Sequence, residues 1–143
     1  MRYFIIALFL IGSASADGLE LEFSLMTAHL VTSGMNNNNA LIGLSYDNWE
    51  ASTFINSYGD RSYSASRRFH LNHGFSVSAG AIHGYGDNAK FFYARVDETV
   101  LFASVNYDIP VNDHFGLRAR LMGEALIFGL VVKPSIITLQ RNL

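Results

Sequence analysis

Histidine, serine and asparagine are the residue types here that could do chemistry. His29, Asn56 and Ser57 stand in the stretches "TAHLVTSG" and "FINSYGDRS", with His83 in "AIHGYG". An imidazole beside a hydroxyl can take its proton, and that pairing underlies acyl transfer. Asparagine and serine are also ordinary residues at the edges of loops. The remaining histidines carry less. His70 and His73 flank the turn "NHG", His114 belongs to "VNDH", and neither spacing supplies a metal-ligand set.

Whether His29, Asn56, Ser57 and His83 meet depends on the elements that carry them. Apolar and polar residues alternate with period two along most of the chain. In "LELEFSL", Leu19, Leu21, Phe23 and Leu25 oppose Glu20, Glu22 and Ser24. In "FGLRARLMG", Phe115, Leu117, Ala119 and Leu121 oppose Gly116, Arg118, Arg120 and Met122. "FSVSAGAIHGYG" and "VLFASVNYDIP" repeat the pattern, while Ala125 to Val132 is apolar on both faces. The alternation predicts eight strands, at roughly 19–31, 39–47, 49–58, 62–71, 75–85, 98–109, 115–122 and 124–133. His29, Ser57 and His83 then fall at the same ends of three different strands.

Connection lengths sort the two ends. "DN", "NHG" and "VNDH" are short, whereas "TSGMNNNN", "YGDR" and "GDNAKFFYARVDE" are long, with "MGE" a tight turn among the long ones. Bacterial outer-membrane barrels have short periplasmic turns and longer outer loops. The expected fold is therefore all-β, an eight-stranded antiparallel up-and-down transmembrane barrel. Glu20, Glu22, Arg118 and Arg120 share one face, where opposite charges can pair inside a narrow lumen but are costly in lipid. A soluble lipocalin-type barrel, apolar inside and polar outside, is the competing fold.

The start of the chain reads as an export signal over residues 1–16, leaving 17–143 as the barrel domain. Arg2 begins it, Tyr3 to Ile11 form an apolar run, and Ala14-Ser15-Ala16 is a small-residue cleavage pattern. The expected location is the bacterial outer membrane. The 143 residues contain no cysteine, which excludes a disulfide scaffold. Ten Lys+Arg against 12 Asp+Glu give no electrostatic reason to bind nucleic acid. Past the last strand the chain continues into "KPSIITLQRNL" instead of ending on a terminal aromatic residue.

In this order, "TAHLVTSGMNNNNALIGLSY", "WEASTFINSYGDRSYSASRRF", "FSVSAGAIHGYG" and "VLFASVNYDIP" resemble successive strands of the lipid A palmitoyltransferase (PagP) family. The resemblance implies transfer of a palmitoyl chain from a phospholipid to lipid A by a monomer without a cofactor, the partners being membrane lipids. It places His29 at the family's catalytic histidine and Ser57 at its serine. Asn56 stands where the family has aspartate, so restoring the carboxylate with Asn56→Asp is expected to raise activity. The chain also lacks the family's N-terminal amphipathic helix, and has "ARVDETVL" where the family has prolines before the sixth strand. A non-catalytic barrel that acts on the cell surface through its loops is the alternative function. The mixed aromatic and charged residues of "GDNAKFFYARVDE" suit lipid headgroups or a partner.

Overall fold

The computed structural model describes residues 18–85 and 94–134. The expected signal peptide, most of the "GDNAKFFYARVDE" loop and the tail after Pro134 lie outside the described residues. Among the described residues there are nine strands: β1 (Glu20–His29), β2 (Leu41–Tyr46), β3 (Trp49–Ile55), β4 (Arg61–His70), β5 (Phe75–His83), β6 (Arg95–Val96), β7 (Thr99–Pro110), β8 (Phe115–Met122) and β9 (Ala125–Val132). Eight of them form a closed antiparallel barrel. Consecutive strands pair, β1 pairs with β9, and β5 pairs with β7. The two-residue β6 is an additional ribbon on β7, with Arg95 opposite Val100.

The strands join as the turn residues require. Asp47 and Asn48 both have positive φ, at 46° and 68°, as a two-residue hairpin of the primed type demands. The connections at 47–48, 71–74 and 111–114 lie at one end, and the longer ones lie at the other with the tight Gly123–Glu124 turn. Gly80 permits the close approach of β4 and β5, since a Cβ there would lie 2.1 Å from the Ala65 carbonyl oxygen.

On most strands the two faces are sorted by polarity, and the charged residues near the short-turn end lie on the inner one. Arg68, Arg118 and Arg120 are buried, as are Glu22 and Glu50. Phe23, Ile42, Phe69, Leu101, Leu117, Phe128 and Leu130 are exposed on the outside. This is the reverse of the soluble lipocalin arrangement.

The lumen has layers. Towards the short-turn end, Arg118 Nη1 donates to Glu22 at 2.9 Å and Nη2 to Glu20 at 3.1 Å, while Nε reaches Asp108 at 2.6 Å. Arg120 bridges Glu22 at 2.9 Å and Glu50 at 3.2 Å, and Arg68 bridges Glu50 and Glu20. Asn106 extends the network, accepting from Arg120 and donating to Ser76 and Ser78. The run Ala125–Val132 fits because Gly129 leaves room for Glu22, whose Oε1 lies 3.2 Å from where a Cβ would stand. Towards the long-loop end the inner residues turn apolar: Leu41, Phe54, Ile82, Val100, Phe102, Met122 and Ile127 pack together with Tyr85.

Candidate functional site at the long-loop rim

A one-residue bulge in β1 decides where His29 points. Phe23 pairs with Leu130 but Met26 pairs with Phe128, so three steps on β1 match two on β9. The Ser24 hydroxyl donates to the Phe128 carbonyl at this break. Before the bulge Glu22 and Ser24 face inward; after it Thr27 does, and the His29 side chain is only 5% exposed. Uninterrupted alternation would have put His29 on the outer face with Phe23.

The His29 ring is held on both sides. Nε2 lies 3.3 Å from the Asn36 carbonyl, which can only accept, so Nε2 carries the hydrogen. Nδ1 is buried, has no hydrogen-bond partner and lies 3.8 Å from Glu124 Oε1. Glu124 is fixed by its other oxygen, which accepts the Thr32 amide at 2.8 Å. That bond holds the Glu124 carboxyl below the usual carboxylate range.

Asn36 brings Ser57 to the histidine. While its carbonyl receives His29, its backbone amide donates to the Ser57 carbonyl at 2.9 Å and its side chain to the Asn56 carbonyl at 3.2 Å. The asparagine run continues the sheet irregularly beyond β2, with Thr27 N donating to Asn37 O and Ile55 N to Asn39 O. His29, Ser57 and Glu124 consequently line one rim pocket of about 330 Å³, with Met35, Tyr58 and Met122 among its walls. Ser57 and Tyr85 both line this pocket, and burial pushes the Tyr85 phenol up to about 12, with the neighbouring Ser57 acting against it. Beneath, Thr27 Oγ1 and Asn39 Nδ2 are buried without a partner and their residues line a small void of about 20 Å³ that shares Ser57 and Tyr85 with the rim pocket.

Asn56 does something other than orient His29. Its Nδ2 donates to the Gly84 carbonyl at 2.9 Å and to Ser62 Oγ at 3.1 Å, and its Oδ1 accepts the amides of Tyr58 and Asp60. Every polar atom of this 2% exposed amide organises the 56–60 loop and ties it to β5. The carboxylate beside His29 is Glu124, which sequence reasoning missed because a glutamate in a tight turn reads as solvated.

His83 is exposed on the outside, with Nδ1 3.1 Å from Thr99 Oγ1 and Nε2 3.6 Å from Glu98. It is not part of the rim pocket. His70 lines a cavity at the opposite end of the barrel, and among the described residues no group of three or more His, Cys, Asp or Glu could hold a metal ion. Comparison with known protein families, curated proteins and solved structures finds no match for this chain.

Proposed function

We propose that the chain is a bacterial outer-membrane barrel that transfers a fatty acyl group at its outer rim, from a phospholipid to lipid A. The apolar outer surface supports the membrane setting, since a closed barrel satisfies its backbone internally. The sequence resemblance supports the choice of lipid substrates. The observation that carries the chemistry is the buried His29 with a free Nδ1, a carboxylate beside it and Ser57 on the same largely apolar pocket.

In this reading His29 Nδ1 takes the proton of the attacking hydroxyl as its oxygen bonds to the ester carbonyl carbon. Glu124 stabilises the imidazolium so formed. Asn39 Nδ2 and Thr27 Oγ1 are unused donors for the negative oxygen that develops on the carbonyl. Collapse breaks the original ester C–O bond, and His29 returns the proton to the departing phospholipid oxygen. Ser57 relays or positions the hydroxyl, with Tyr85 beside it.

Mass spectrometry of lipid A from cells with and without the protein tests this. An added acyl chain that disappears with His29→Ala and Ser57→Ala is the expected result. Identical lipid A in all strains would favour the second reading, a non-catalytic surface barrel. One observation supports that second reading: Asn56, at the position of the family's aspartate, spends its side-chain bonds on the 56–60 loop and Gly84 and none on His29.

A further inference from the structure

One charged side chain lies within the apolar outer surface near the short-turn end. On the eight barrel strands the outward positions are otherwise apolar, aromatic or threonine, apart from Arg61 and His83 at the long-loop end. The exception is Arg67. Its guanidinium carbon lies 5.6 Å from the Trp49 ring centroid and 5.9 Å from that of Phe69. Trp49 is its direct cross-strand partner, and Tyr46 is the partner of Trp49. All three rings are exposed on the outside. Among the described residues no carboxylate lies within ion-pair distance of Arg67, whereas its neighbour Arg68 points inward to Glu20 and Glu50.

Aromatic faces hold a guanidinium but leave its in-plane N–H donors unused. Those donors match a phosphate in a two-pronged fashion. An uncompensated cation on a greasy surface needs such an anion. Aromatic side chains also collect where headgroups begin.

We propose that Trp49, Arg67 and Phe69 form a binding site for the phosphate of an anionic phospholipid headgroup, in the leaflet at the short-turn end. The site rests on the membrane reading but not on catalysis. The phosphodiester binds the Arg67 fork, Trp49 and Tyr46 border the headgroup, and the lipid's chains run along the apolar wall.

Trp49 is the chain's single tryptophan and so reports on its own site. The full chain, folded in uncharged dodecyl maltoside, is titrated with phosphatidylglycerol or phosphatidylcholine while Trp49 fluorescence is followed. The expected result is a saturable change at phosphatidylglycerol fractions roughly tenfold below those needed for phosphatidylcholine. Arg67→Gln should remove that preference, and Arg67→Lys, which keeps the charge but loses the fork, should retain part of it. Equal responses to the two lipids, or an unchanged preference in Arg67→Gln, overturn the site while leaving the membrane reading intact. A chain that stays soluble and enters neither micelles nor bilayers overturns both.

Discussion

The free nitrogen of His29 faces Glu124 at 3.8 Å, and the two residues sit on adjoining strands' ends, joined again by the Leu30 amide to the Glu124 carbonyl at 3.1 Å. This pairing places a carboxylate next to the imidazole without any contribution from Asn56. If His29 acts as a base, Glu124→Gln should reduce acyl transfer about a hundredfold or more with little change in substrate affinity, because it removes charge stabilisation of the imidazolium. A variant with full turnover in lipid A acylation assays would remove Glu124 from the mechanism.

The same carboxylate predicts an acid response in the loop after β1. Its folded-state pKa is depressed by the Thr32 amide, so the stabilising contact is complete above the ordinary carboxylate range and lost as pH falls through the depressed value. Protection of the Thr32 amide, taken relative to the intrinsic exchange rate at each pH, should therefore fall on acidification. Glu124→Gln should flatten that dependence.

Asn56→Asp is expected to destabilise the fold, whereas the sequence resemblance alone leads to an expected gain in activity. A carboxylate cannot donate to the Gly84 carbonyl 2.9 Å away, and would face it with like partial charge. The loss should be about 1–3 kcal/mol. Urea unfolding of the barrel in detergent measures it.

Deleting one residue between Phe23 and Met26 should turn the end of β1 inside out. Thr27 and His29 would move to the outer face, and chemical modification of His29 from outside should become rapid. Slow modification in the deletion variant would mean that the chain rebuilds the bulge elsewhere.

Arg118→Met should cost about 3–5 kcal/mol, since Glu20, Glu22 and Asp108 would lose the cation they share. Replacing the exposed Leu117 beside it by Met should be nearly neutral to unfolding.

Most of the eight strands are legible because one face is apolar and the other polar, the last being an apolar run bounded by a tight turn and Pro134, and their bounds agree to within a few residues. Four things are not. The bulge is marked in "LELEFSLMTAH" only by the adjacent apolar pair Leu25-Met26, where the alternation shifts by one residue, too brief a signal to fix which face His29 takes. β6 lies within what reads as a loop, because two paired residues are too few for a periodic signal. At the rim, His29 and Ser57 were visible as residue types, but their link through Asn36 was hidden in an asparagine run that reads as low-complexity loop. Asn56 was singled out by position, yet its role follows from hydrogen bonds that only the folded loop creates.

The two inner layers described for the barrel have a consequence for passage of solutes through its bore. Among the described residues, the arginine–glutamate lattice fills the bore at one end and packed Phe54, Phe102 and Ile127 fill it at the other. Planar-bilayer recordings should find no steady current through the folded protein, and cells rich in it should be no leakier to sugars or antibiotics than cells without it.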